Sequence, residues 1–323
     1  MLPPDKPKKP LSNFLLLLRE DIKIVGVSQI LQKWHNRNMP SFTLGAQKLK
    51  ISKNFYRCII QGKNSLPIWF LKKLSHLDKD ISGKIYKNFS YITARNSLDI
   101  LPKSINPQLA YYIGFLHGDG HVDKNEKRIS FSEKYNSQLK IINKLTKTLF
   151  NVKGDLYFRK EEDRKFWTLD VRRVTINSFF SEVIGIKRGR RTSNEIPKII
   201  MKNKELLRWY LCGLFDAEGA MPLNPKNRKN LYIDIAMRDA GLINYVKNLL
   251  VKNFDITPYG PYRRIAKSPH SNNLSIESEL RIRKQSEIIK FLTKIGTMHP
   301  DKIRRKNLIL SLLDKSAPVA QFG

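Results

Sequence analysis

Two nine-residue stretches match one another about a hundred residues apart: Tyr112-Ile-Gly-Phe-Leu-His-Gly-Asp-Gly120 and Leu211-Cys-Gly-Leu-Phe-Asp-Ala-Glu-Gly219. Each closes an apolar helical pattern, Gln108–His117 in the first case and Leu206–Asp216 in the second. Each is followed by short alternating runs separated by one further helical stretch. In the first copy the runs are Arg128–Ser132, Asp155–Arg159 and Trp167–Arg172, with the helix at Asn136–Phe150. In the second they are Leu231–Arg238, Pro261–Ala266 and Ile276–Arg283, with the helix at Gly241–Asn253 and a last helical pair after Gln285. A repeat of this size predicts a duplicated α+β unit with a pseudo-two-fold axis.

Within each stretch, small residues recur four apart on one helical face: Gly114 with Gly118, and Gly213 with Ala217. Such a face lets two helices pack very closely, and the spacing predicts left-handed caps at Gly120 and Gly219. An acid precedes each final glycine, Asp119 and Glu218. A carboxylate at a helix C-terminus meets the negative end of the dipole, and two brought together repel each other. Divalent cations relieve that repulsion, and Mg²⁺ favours carboxylate, water and phosphate oxygens. Two ions held over a nucleic-acid backbone describe metal-assisted phosphodiester hydrolysis.

The charge agrees with a polyanionic partner. Among 323 residues, 60 Lys+Arg stand against 28 Asp+Glu, a net charge of +32. It divides as +12 over residues 1–100, +9 over 101–200 and +11 over 201–323. A basic tail on an ordinary enzyme is excluded, and an extended basic surface is implied. Two cysteines, Cys58 and Cys212, are too few for a disulfide framework or a zinc site. No run approaches the roughly 20 apolar residues of a membrane span. The reading is a monomer without a membrane partner, intracellular, cytoplasmic or nucleoid-associated, with an organelle left open.

The paired stretches resemble the motifs of LAGLIDADG homing endonucleases in their single-chain, two-motif form. The second copy is the closer match, and the first departs at His117 and Tyr112. The resemblance covers roughly residues 107–315. It implies saddle-shaped antiparallel sheets over the DNA major groove, with metal held by Asp119 and Glu218 and by the backbone at Gly118 and Ala217. The implied ion is Mg²⁺, with Mn²⁺ as another and Ca²⁺ bound without turnover. The polar strand faces are then expected to meet DNA: Arg128, Ser130, Ser132, Tyr157, Arg159, Thr168, Asp170 and Arg172 in the first half, and Tyr232, Asp234, Arg238, Arg263, Arg281 and Arg283 in the second. The family also places a cation near each scissile phosphate. The candidates are Lys187 or Arg190 in one loop and Lys302 in the other.

Residues 41–77 are similar to the helix-turn-helix of phage-repressor-type domains. Ser41 and Ser52 can cap successive helices, Lys50 stands where the turn usually has glycine, and Phe55, Cys58 and Ile59 point inward. Lys53, Asn54 and Arg57 then face the major groove. The expected organisation is a disordered tail (1–10), a small all-α DNA-binding domain (11–80), a linker (81–106), two endonuclease halves (107–200 and 201–315) and a tail (316–323).

The resulting expectation is a site-specific, metal-dependent double-strand DNA endonuclease with a long recognition site, of the homing type, intron-encoded or free-standing. The start at Met1 and the end at Ala-Gln-Phe-Gly323, without a terminal Cys/Ser and His-Asn arrangement, set protein splicing aside. The alternatives are a transcription regulator that binds DNA without cutting it, and an RNA maturase acting on intron RNA.

Overall fold

A computed structural model describes residues 2–6, 8–94, 97–161, 164–189, 195–222, 231–267 and 274–314. The chain opens with β1 (Lys9–Pro10) and β2 (Lys23–Val25), then α1 (Ser28–Asn38), α2 (Phe42–Leu49), α3 (Lys53–Ile60), β3 (Leu66–Pro67), α4 (Ile68–Leu77), α5 (Ile81–Asn88), β4 (Tyr91–Ala94), β5 (Ser97–Asp99) and β6 (Ser104–Ile105). The first half follows: α6 (Pro107–Gly118), β7 (Gly120–Val122), β8 (Ile129–Glu133), α7 (Asn136–Phe150), β9 (Asp155–Glu161), β10 (Arg164–Val171) and α8 (Val174–Ser178), which widens into a π-turn at Phe179–Val183. Next come α9 (Lys198–Met201), α10 (Lys204–Glu218), β11 (Gly219–Ala220), β12 (Ile233–Met237), α11 (Ala240–Phe254), β13 (Tyr259–Lys267), β14 (Leu274–Ile282), α12 (Gln285–Lys294) and α13 (Pro300–Asp314).

The two halves share one topology. Their antiparallel sheets run β7-β8-β10-β9 and β11-β12-β14-β13. The equivalence is set residue by residue, because Gly120 pairs with Phe131 in one sheet and Gly219 with Ile235 in the other. Alternation gives each sheet one apolar face. Ile129, Phe131, Leu169 and Val171 are buried beneath α7, and Ile233, Ile235, Leu280 and Ile282 beneath α11.

The N-terminal region corrects three expectations. Residues 11–80 are not all helical: β2 joins β3 and β4, and β5 completes a four-stranded sheet, β3-β2-β4-β5. These strands are two to four residues long, too short to alternate visibly, and their partners lie far apart in sequence. Residues 81–106 are not a plain linker, since α5, β4, β5 and β6 lie there. Asp99, 1% exposed, ties this segment to the first half by accepting from Arg173 Nε (3.1 Å) and Thr175 Oγ1 (2.5 Å). The N-terminal tail is also engaged. β1 pairs with β6, and the Pro3 carbonyl accepts from Gln108 Nε2 at 3.0 Å.

Helices α2 and α3 are joined by Lys50–Ser52, and Ser41 and Ser52 accept from the Leu44 and Phe55 amides as caps. Tyr56 turns inward rather than Cys58, its hydroxyl 2.9 Å from His35 Nδ1, and Cys58 is only half-buried. Lys50 occupies the left-handed region at φ 51°, where a Cβ is unfavourable. Lys50→Gly is expected to raise stability by about 0.5–1 kcal/mol after the extra unfolded-state freedom is counted, measured as a shift of the urea midpoint at unchanged slope.

The candidate nuclease centre

The site is built on α6 and α10, which pack with almost no side chain between them. A Cβ on Gly114 would lie 2.0 Å from the Tyr210 carbonyl oxygen, and one on Gly213 would lie 2.1 Å from that of Tyr111. The reciprocity follows from the pseudo-two-fold. It continues in the hydrogen bonds: Tyr111 donates to Asp216 Oδ2 at 2.7 Å, and the Tyr210 hydroxyl lies 2.8 Å from His117 Nδ1. His117 thus takes the interface place that Asp216 holds in the second copy. Asp216 also accepts from Thr297 and from the Met298 amide, which fastens α10 to the turn before α13.

Lower down, a Cβ on Gly118 would stand 2.3 Å from Ala217 Cβ and 2.8 Å from Glu218 Cγ. Gly120 and Gly219 are not left-handed caps. Gly219 has φ −92° and opens β11, and Gly120 opens β7. Their glycine character is steric: a Cβ would lie 2.7 Å from the Leu116 carbonyl in one case and from the Phe215 carbonyl in the other.

Asp119 caps α6 and Glu218 ends α10, both half-buried at the shared end of the helix pair. Burial holds the Asp119 carboxyl well above the usual carboxylate range, and the charges of Glu133 and Glu218 push it further the same way. Glu133, within hydrogen-bonding reach of Asp119, is raised by burial and held back by Lys302. Lys302 reaches in from α13, its Nζ donating to the Phe215 and Asp216 carbonyls at 2.7 Å each. Burial lowers its pKa, while Asp216, Glu133, Asp119 and Glu218 oppose that. Lys302 thus closes the C-terminal end of α10 and faces the acids.

Glu133 is the residue that sequence reasoning missed. Its signal was an acid in register with Ile129 and Phe131, on the face where β8 is otherwise apolar. Lys187 lies exposed in the loop after the π-turn. Its neighbour Arg188 pairs with Glu126 and Glu182, each at 2.7 Å. Arg190 falls outside the described residues.

The oxygen donors Asp119, Glu133 and Glu218, with the Gly118 and Ala217 carbonyls nearby in sequence, suit a hard divalent ion rather than a soft one. Among the described residues no group of three or more His, Cys, Asp or Glu is disposed to hold an ion alone. That fits a cation such as Mg²⁺, which keeps water and phosphate oxygens in its shell.

On the face opposite the helices the first sheet carries Ser130, Ser132, Tyr157, Arg159, Thr168 and Asp170, in the ladder order Ser130↔Asp170, Ser132↔Thr168 and Thr168↔Tyr157. Asp170, 1% exposed, accepts from Arg128 (2.9 Å), Tyr157 (2.9 Å) and Arg172 (3.4 Å), so the groove face is ordered before any ligand arrives. In the second sheet Asp234 pairs with Arg281, which lies 5.1 Å from the Tyr232 ring and is ion-paired with Glu279. Arg263 is in register with Ser278 and so shares the face of Met237. Arg264 takes the groove face instead, 2.9 Å from Glu277. A β-bulge between Tyr259 and Tyr262 shifts the alternation that the sequence suggests. Arg238 and Arg283 follow β12 and β14, where Arg283 is exposed.

His299, before α13, accepts from the Asp301 amide through Nδ1 (3.2 Å). Burial, and then Lys302, lower its pKa to about 4 from an ordinary 6.5. Between those values the unfolded chain binds a proton that the folded one does not. This group's stability is therefore present above pH 6.5 and is lost as pH falls toward 4, by about 2–3 kcal/mol. The buried carboxyls act in the opposite sense, so the test is the difference between wild type and His299→Asn. Urea midpoints of the wild type should fall more steeply than those of the variant over that window.

A family model described as a LAGLIDADG-like domain matches residues 205–296. Glutamine–fructose-6-phosphate aminotransferase of Methanocaldococcus jannaschii is 27% identical over 230 residues, 69% of this chain and 20% of that protein. The replication factor C small subunit of the same organism is 24% identical over 204 residues, 62% of this chain and 10% of that one. The chain thus spans a fifth or less of these curated relatives. Among solved structures, I-DmoI in complex with DNA and Mn is 20% identical, with a TM-score of 0.38, covering 59% of this chain and 96% of that one. Full-length DUF199/WhiA from Thermatoga maritima is 18% identical, with a TM-score of 0.42, covering 64% and 60%. Among the described residues no helix is long and apolar enough to cross a membrane.

Proposed function

We propose that this chain, which carries a LAGLIDADG-like domain at residues 205–296 and repeats its topology in the preceding half, is a site-specific double-strand DNA endonuclease working with a divalent cation. The observation that carries the reading is the meeting of Asp119, Glu218, Glu133 and Lys302 at the end of two helices in near backbone contact. An ordinary helix end has no need of so many half-buried charges.

Asp119 and Glu218 would hold the cations, one toward each strand, with Glu133 beside Asp119. When bound, a divalent ion supplies an activated water and neutralises charge on the scissile phosphate. Lys302, fixed by two carbonyls, would offer its remaining proton to the non-bridging oxygen on which charge builds during in-line attack. The groove faces would position the duplex: Arg128, Tyr157, Arg159 and Arg172 on one side, Tyr232, Arg264, Arg281 and Arg283 on the other. Arginine can pair bidentately with guanine edges, and the rest accept or donate. Lys53, Asn54 and Arg57, exposed along α3, would add a second contact in the major groove and lengthen the site.

The test is cleavage of a randomised duplex library in the presence and absence of Mg²⁺. Recovery of one recurring site with staggered ends is expected. Tight binding with no Mg²⁺-dependent cut would place the chain among non-cleaving DNA regulators instead.

A further inference from the structure

The pseudo-two-fold that relates the halves is broken in the immediate surroundings of the two acids. Gly120↔Phe131 and Gly219↔Ile235 are equivalent ladder pairs, so two residues further along Glu133 is equivalent to Met237. The same register makes His121 equivalent to Ala220, since His121 pairs with Ser130 and Ala220 with Asp234. Glu133 stands beside Asp119, within hydrogen-bonding reach. Glu218 instead opens on a cleft of about 310 Å³ whose lining includes His121, Met237, Asp239 and Glu277.

The further acids in that cleft have other work. Asp239 accepts from the Leu242 amide at 2.9 Å and so caps α11, and Glu277 lies 2.9 Å from Arg264. Met237 offers a thioether, a poor ligand for a hard cation.

We infer that the two centres are unequal: Glu133 joins Asp119 in a tighter divalent-cation site, whereas the Glu218 centre, with Met237 in the equivalent place, is the weaker one. The inference rests on the metal-dependent reading above and refines it. Two carboxyls set against each other present up to four oxygens to one ion, and the bound cation replaces a shared proton between them. In that cleft the carboxylate of Glu218 meets a backbone-committed acid, an arginine-paired acid and an imidazole, with Met237 where the other half has Glu133. A Mg²⁺ or Mn²⁺ ion there depends more on water and on the DNA phosphate.

The test is titration of metal-free, full-length protein with Mn²⁺, the free ion being read by electron paramagnetic resonance. Wild type should show two classes of site separated by at least about 10-fold in affinity. Glu133→Gln should weaken the tighter class by about 10-fold or more and leave the other unchanged, while Glu218→Gln removes only the weaker class. Met237→Glu should tighten the weaker class, a gain that no loss of folding can imitate. Two equivalent sites in wild type, or a Glu133→Gln curve that overlays it, would overturn the inequality. If DNA is cut but the sites are equal, the inequality alone fails. If the sites are unequal but no duplex is cut, the endonuclease reading fails and the inequality stands.

Discussion

Asp119→Asn and Glu218→Gln are each expected to convert a supercoiled plasmid bearing the target into nicked circles and to stop there. The double variant should leave it supercoiled. Each acid closes a different helix of the pair and would serve a different strand, so losing one leaves the other centre in place. The rate on the affected strand should fall by at least about 10²–10³-fold, the scale for removing one preorganised group that acts on transition-state charge. Both substitutions are close to isosteric, and neither adds negative charge to a chain of net +32. Duplex affinity should therefore hold or rise slightly, and the helix pair should stay folded. Linear product from a single variant at the wild-type rate would remove both carboxylates from the chemistry. So would a loss of cutting that tracks a loss of binding.

Much of this centre was legible in the sequence because the repeat is local. The nine-residue stretches fix which glycines face each other, and Asn136–Phe150 has an apolar period regular enough to give α7 its bounds. Strand faces followed from alternation wherever the ladder was regular, as in β8 and β10. They failed at Arg263, where the bulge before it shifts the register by one. Lys302 was a candidate because the resemblance asks for a basic residue in the loop before the last helix; the structure sets it instead in the first turn of α13. Glu133 was not, because its significance depends on the fold of β8 back onto α6, a contact that no spacing announces. The N-terminal sheet was hidden for a related reason. Its strands are shorter than the window over which period two can be seen, and its order joins residues 23–25 to 91–94. The glycines after each acid show the opposite error. Helix-cap chemistry suggested a left-handed turn, and close packing against Leu116 and Phe215 is what excludes a side chain there.

The same packing predicts the largest stability effect. Gly114→Ala should destabilise the protein by about 3 kcal/mol, and Gly213→Ala by a similar amount. In each case the added methyl meets a backbone carbonyl oxygen at 2.0–2.1 Å, and no rotamer can relieve it. The helices must part instead, which stretches the Tyr111–Asp216 and Tyr210–His117 hydrogen bonds that straddle them. For a chain of 323 residues such a loss corresponds to a fall of roughly 4–5 °C in Tm. Gly83→Ala is the control: it too lies within a helix, α5, but nothing stands within 4 Å of its would-be Cβ. There alanine should stabilise by about 0.5–1 kcal/mol through helix propensity alone. A Gly114→Ala protein that melts with the wild type would show that α6 and α10 can separate without cost. Asp119 and Glu218 would then lack the fixed spacing that a two-strand cut demands, whatever their individual chemistry.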